Sequence, residues 1–209
     1  NLKKKVLNKI DLNIPRNSIV GLMGKSGSGK TTLANILIGI LNFSEGKIIL
    51  DNVELKEKKI SFKKKIGYVP QNIFLTNDTI KRNIAFGIPE VEIDNTRIIK
   101  SSNLAQLDEM IKNFSDGLNT FVGERGVKLS TGQIQRIGIA RALYHDPDFL
   151  VLDEVTSALD MDTEKEFMKV VKKISDKKTI FFVSHRPSVL KFCNVVYKLE
   201  NGRIYKTEL

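Results

Sequence analysis

One cysteine in 209 residues, Cys193, excludes an intrachain disulfide and any multi-cysteine metal cluster, and suits a reducing compartment. Glycine (14) and proline (5) are too few for a collagen-like or low-complexity chain, and the ordinary apolar content argues against disorder. Long apolar runs are missing as well. Phe149 to Leu152 and Ile180 to Val183 fall far short of the roughly 18 to 20 residues that cross a bilayer, so no span is expected within this chain, and no secretory signal is read. Acidic residues are the minority, 24 against 34 Lys plus Arg, for a net charge of +10. That excess directs attention to polyanions: nucleic acid, acidic lipid headgroups or nucleotide phosphates. The lysine clusters at 3–5, 56–65 and 172–178 are, taken alone, solvated faces. What is present is a chain with 41% hydrophobic residues, long enough to bury a core as one domain, with or without a subdomain.

Periodicity supplies the organisation. Val6, Ile10, Leu12 and Ile14 predict a half-buried strand, Ile19 to Met23 a buried one, and a glycine-rich loop then opens a helix to about Leu41. Strands are expected at 47–50 and 66–69, joined by a lysine-rich connection with room for a short helix. From Thr76 to Leu143 the apolar residues recur at helical spacing: Ile80 and Ile84; Leu104, Leu107 and Ile111; Ile134, Ile137, Ala140 and Leu143. A strand at 149–152, a helix at 162–174, a strand at 180–183 and a hairpin turning on Asn201-Gly202 complete the chain. Alternating strands and helices predict an α/β sheet with parallel strands, split by a helical insert.

Gly24-Lys25-Ser26-Gly27-Ser28-Gly29-Lys30-Thr31 matches the phosphate-binding pattern G-x-x-x-x-G-K-[ST] between a strand and a helix. Its glycines allow successive backbone N–H groups to turn inward as an anion nest, and the helix adds its positive N-terminal dipole. Lys30 is expected to reach the β- and γ-phosphates and Thr31 to coordinate Mg²⁺. The apolar strand Phe149 to Leu152 runs into Asp153-Glu154 at the carboxyl edge of the sheet, where nucleotide sites of open α/β folds lie. Asp153 is expected to serve the cation. Glu154 is placed to act as general base toward an attacking water. Ser130 followed by Gln133 is a capping-box pattern opening a further helix, and a capped helix N-terminus is a second anion site.

Leu129-Ser130-Thr131-Gly132-Gln133 resembles the L-S-G-G-Q signature of the ATP-binding cassette family. The resemblance covers essentially the whole chain, because Gln71 after the strand Gly67-Tyr68-Val69, the D-loop-like Ser157-Ala158-Leu159-Asp160 and the H-loop-like Ser184-His185-Arg186 follow in the family's order. It implies a P-loop NTPase (RecA-like) core with an antiparallel β subdomain and an inserted α-helical subdomain. One ATPase domain over 1–209 is implied, with its core at about 1–75 and 144–209 and the helical part at about 76–143. It further implies ATP held by 24–31 and Thr32. Gln71 would contact Mg²⁺ or the water, His185 the γ-phosphate, and Asp160 the interface of two cassettes packed head to tail. Ser130, Gly132 and Gln133 would then close over the nucleotide of a second nucleotide-binding domain. Thr120-Phe121-Val122-Gly123-Glu124-Arg125-Gly126 resembles the exporter-type segment that faces the coupling helices of a membrane domain.

Three departures from the family pattern stand out. Thr131 replaces a glycine, and its β-branched side chain is expected to weaken closure if that position needs positive φ. Val155 replaces an alanine. No aromatic occurs between Asn1 and Met23, so the residue that stacks on adenine is expected upstream of Asn1, as are the membrane helices. The implied function is ATP hydrolysis driving export or flipping of a substrate at the cytoplasmic face of the cell membrane, without nucleic acid as a partner. The alternatives are a nucleic-acid-associated cassette ATPase, which the positive charge invites, and a regulatory cassette that binds ATP with little turnover. The 58 positions from Gln71 to Leu129 leave no space for the coiled coils or zinc modules of repair and chromosome cassettes.

Overall fold

The computed structural model describes residues 5–55 and 65–207. Most of the lysine-rich connection, with its expected short helix, lies outside them. Strands β1 (Ile19–Met23), β4 (Ile66–Val69), β5 (Phe149–Asp153), β6 (Thr179–Val183), β7 (Val195–Glu200) and β8 (Arg203–Thr207) form one sheet in the order β4-β5-β6-β1-β7-β8. Every pairing from β4 to β7 is parallel; only the β7–β8 hairpin is antiparallel. A separate antiparallel pair, β2 (Ile48–Leu50) and β3 (Val53–Leu55), turns on Asp51 and Asn52, both at positive φ. The final hairpin turns on Asn201 and Gly202, also both at positive φ, as an Asn-Gly turn of the primed type requires.

The central strands read as continuous apolar runs because both faces of the sheet are covered. One face carries Val20, Leu22, Val151, Phe181 and Val183 against Leu33, Ala34 and Ile38 from helix α1 (Lys30–Leu37) and the residue after it. The other carries Ile19, Leu152, Ile180 and Phe182. It packs against Ile137 and Ala140 of α5 (Thr131–Leu143) and Phe167, Val170, Val171 and Ile174 of α6 (Met161–Ser175). Each of the larger of these side chains, Val and above, contributes roughly 1.5 to 3 kcal/mol by leaving water. Between β4 and β5 the described residues are helical, with α2 (Ile80–Ile84), α3 (Asn95–Leu104) and α4 (Asp108–Lys112) preceding α5, and with one isolated bridge between Thr79 and Phe121. Helix α7 (Pro187–Leu190) follows β6.

Two expectations are corrected. Residues 6–14 form no strand. Ile10, Leu12 and Ile14 nevertheless pack on the α1 side of the core, so their alternation records burial rather than ladder pairing, while Val6 is exposed and Leu7 packs in its stead. The first helix stops at Leu37, not near Leu41, because Gly39 takes φ 74. Its N–H and that of Ile40 turn back to the carbonyls of Ile36 and Asn35, a glycine-terminated helix end.

Strand register fixes what meets at the carboxyl edge. Val183 lies beside Leu22 on one side and Asp153 on the other. The glycine-rich loop after β1, the Asp153-Glu154 turn after β5 and the Ser184-His185 turn after β6 therefore emerge side by side.

Candidate functional site

The loop 24–29 is shaped by its glycines. Gly27 and Gly29 hold φ of 74 and 105, where side chains are disfavoured, and Gly29 is the left-handed cap from which α1 starts. Gly24 is required for a different reason: a Cβ there would lie 2.5 Å from the Leu199 carbonyl oxygen and 2.7 Å from Ser28 Oγ. Lys30 is only 7% exposed, and its ammonium donates to the carbonyls of Gly24 at 2.9 Å and Lys25 at 3.1 Å. Ser28 Oγ is buried with no protein partner. A buried cation, a left-handed glycine loop opening a helix and an unpartnered buried hydroxyl together fit a polyanion such as a nucleotide phosphate chain.

Glu154 is the hub of the facing wall. Its Oε1 lies 3.9 Å from Lys30 Nζ and 3.9 Å from His185 Nδ1, and its Oε2 accepts from Gln71 Nε2 at 3.2 Å. Four residues expected to act on one nucleotide thus converge from four segments of the chain. Glu154 itself holds φ 48, a left-handed backbone uncommon for a side-chain-bearing residue and frequent at functional sites. Its N–H donates to the Val183 carbonyl at 2.9 Å, which fixes the turn to β6.

Asp153, the last residue of β5, is 6% exposed. Burial, and then the Glu154 charge, hold its carboxyl above the usual carboxylate range, with Lys30 and Tyr68 acting in the opposite sense. The Tyr68 hydroxyl is raised in turn, by burial first and then by Asp153. A buried carboxylate with an adjacent like charge is relieved by a bound cation, so the Asp153 environment fits a hard divalent ion such as Mg²⁺.

The remaining expected residues lie at two helix starts. Ser130 caps α5 in a full capping box: its Oγ accepts from the Gln133 N–H at 3.3 Å, and its own N–H donates to Gln133 Oε1 at 2.8 Å. Thr131 is the first residue of that helix and has no positive φ, so its β-branch meets no backbone penalty there. Gly132 is needed for close approach, since a Cβ would lie 2.7 Å from Thr163 Cγ2 of α6. Thr163 in turn bonds Asp160, whose carboxylate caps α6 by accepting from the N–H groups of Asp162 and Thr163. Those bonds, the Thr163 ones foremost, lower the Asp160 pKa. The signature segment and the D-loop-like segment therefore adjoin each other, and the latter runs on from Glu154, whose carbonyl accepts from the Ser157 N–H at 3.0 Å. Val155 is fully buried.

Periodicity and motif reasoning missed Glu164 and the importance of Arg186. Glu164 is a carboxylate buried in the first turn of α6, where sequence alone reads a solvated acidic helix start. Arg186 is paired with it.

Comparison with known proteins gives a consistent result. The family model described as ABC transporter matches residues 7–157. The chain is 38% identical over 200 residues to an ATP-dependent lipid A-core flippase of Cupriavidus pinatubonensis, covering 95% of this chain and 34% of that protein. It is 40% identical over 200 residues to an ATP-dependent lipid A-core flippase of Legionella pneumophila, with the same coverage. Among solved structures, a bacterial Atm1-family ABC exporter with ATP bound superimposes with a TM-score of 0.84 at 32% identity, covering 98% of this chain and 36% of that one. The chain spans about a third of the length of these relatives.

Proposed function

The chain belongs to the ABC transporter family, as a nucleotide-binding domain of the exporter type, and on that premise we propose that it binds and hydrolyses ATP to drive a transmembrane exporter or flippase. The observation that carries this reading is the convergence of Lys30, Gln71 and His185 on Glu154 beside the glycine loop.

In the proposed reaction the backbone N–H groups of 24–31, with Thr32 beyond them, receive the phosphates, and Lys30 leaves the loop carbonyls for the β- and γ-phosphates. Water attacks the γ-phosphorus, the bond to the β–γ bridging oxygen breaks, and ADP leaves with that oxygen. Glu154 takes the proton of the attacking water; His185 and Gln71 orient the water and the γ-phosphate. Thr31, Asp153 and Gln71 would hold Mg²⁺, which supplies neutralisation of phosphate charge. Removing charge and proton in place, with no reorganisation of bulk water, is the main source of acceleration in such sites.

The capped α5 start, with Ser130, Gly132 and Gln133, is assigned to the nucleotide of a second nucleotide-binding domain, in a homodimer or heterodimer, and Asp160 to the interface between them. The Gln71 loop and the Thr120 to Gly126 segment are assigned to the coupling helices of a membrane domain. That arrangement puts the chain at the cytoplasmic face of the cell membrane, where net positive charge suits anionic lipid. The reading predicts Mg²⁺-dependent phosphate release from ATP by the native-length protein, lost in Lys30→Ala together with nucleotide affinity. Undiminished ATP binding by Lys30→Ala would refute the assignment of the loop.

A further inference from the structure

We propose that Arg186, clasped by Glu164, is a positioning residue that locks the turn carrying Glu154 to the turn carrying His185. The inference rests on the roles given above to those two residues.

Arg186 directly follows His185, yet its guanidinium reaches away into another part of the chain. One nitrogen donates to the Leu159 carbonyl at 2.9 Å and pairs with Glu164 Oε2; the other donates to the Ser157 carbonyl at 3.3 Å. Its own N–H donates to Ser184 Oγ at 3.1 Å. Three of these contacts are with the segment between Glu154 and the first turn of α6. The other ties down the turn that presents His185. Glu164 is the anchor: its side chain is 5% exposed, and its second oxygen accepts from Ser188 Oγ of α7. Both carboxylate oxygens are therefore engaged, and all of their side-chain donors come from the His185 side.

The chemistry requires arginine. A planar fork can serve a carboxylate and two carbonyls at once, whereas an ammonium is a single point that cannot span them. Without the clasp the backbone of 155–160 keeps only local hydrogen bonds, such as Ser157 N–H to Glu154 O and Leu159 N–H to Thr156 O, besides the core packing of Val155 and Leu159. Among the described residues no other hydrogen bond joins Ser157 or Leu159 to the His185 turn. Small displacements of a general base and a water-orienting group are costly to rate and nearly neutral to ground-state binding.

The test uses the native-length protein with ATP hydrolysis, KM and thermal unfolding measured together. Arg186→Met is expected to lower kcat by about tenfold to a hundredfold with KM for ATP within about threefold of wild type, and to lower Tm because Glu164 is left buried and unpaired. In the double variant Arg186→Met with Glu164→Met, Tm is expected to recover toward wild type, since apolar replacement of a buried pair is often neutral, while kcat stays low. Should Arg186→Met not fold, the double variant alone carries the test. Recovery of kcat along with Tm, or a wild-type kcat in Arg186→Met, would overturn the proposal. Glu154→Gln run alongside separates the two levels: retained hydrolysis there would refute the site reading itself rather than the clasp.

Discussion

Replacing Gly24 by alanine perturbs the nucleotide loop in a way the structure makes calculable. The added Cβ would lie 2.5 Å from a backbone oxygen, that of Leu199 in β7, and 2.7 Å from Ser28 Oγ. Ordinary contact needs most of an ångström more on both sides, and the strand cannot yield without disturbing its pairing with β1. The loop must move instead. Overpacking of this kind costs about 1 to 3 kcal/mol, and it displaces the Gly24 carbonyl on which Lys30 rests. Displaced phosphate donors translate into a loss of ATP affinity of about tenfold to a hundredfold. Gly46→Ala is the matched control. Gly46 holds φ 101 with open space around its Cβ position, so alanine there costs only backbone strain, about 1 to 3 kcal/mol. At about 2 to 4 °C per kcal/mol for a chain of this size, Gly46→Ala should melt several degrees lower and bind ATP normally. Calorimetric titration with a slowly hydrolysed ATP analogue, paired with thermal unfolding, distinguishes the two. Wild-type affinity in Gly24→Ala, or equal losses in both variants, would refute the reasoning that this loop is the phosphate cradle.

Further predictions concern charge and capping. Asp153 holds its proton more tightly folded than unfolded, so the native state binds more protons and stability falls as pH rises above the unfolded value near 3.8. Asp153→Asn should therefore gain stability relative to wild type as pH goes from 4 to 7 in nucleotide-free protein, while losing Mg²⁺-dependent hydrolysis; a pH-independent difference in chemical denaturation would contradict this. Asp146 shows the opposite sign: Lys100 and Lys178 hold it at about 2, so its contribution is complete above pH 4 and is lost as pH falls toward 2. Because its side chain is 51% exposed, screening reduces that contribution to about 1 kcal/mol, measurable as the difference between wild type and Asp146→Asn in urea unfolding at pH 7 against pH 2.5. Ser130→Ala removes one half of the capping box and should cost about 1 kcal/mol, read as a fall in Tm of about 2 to 4 °C; an unchanged Tm would contradict the assigned cap.

The parts of this site that were legible in the sequence are those where one local segment carries the whole signal. The loop 24–31 reads as a phosphate cradle because glycine placement and the following helix are both local, and Ser130 with Gln133 reads as a cap for the same reason. Asp153-Glu154 at the end of an apolar strand is equally local. Strand order was not legible: β6 lies between β5 and β1, and only that placement brings His185 to Glu154. Residues 6–14 misled because burial and strand pairing leave the same alternation. Gly39 carried a helix stop that the apolar run to Leu41 concealed. Glu164 was illegible because an acidic residue in a first helical turn has an adequate local reason to be there, and its burial depends on Arg186, 22 positions later in the chain. The expected conformational penalty at Thr131 did not arise, since the helix begins there.

Phosphate release by Glu154→Gln, measured alongside its affinity for ATP in the native-length protein, decides whether Glu154 is the hydrolytic base. Wild-type ATP binding, accumulation of an ATP-bound dimer and loss of hydrolysis by at least about a hundredfold are expected. Phosphate release at the wild-type rate would contradict the assignment of Glu154 as the base and, with it, the reading of this wall as the hydrolytic site.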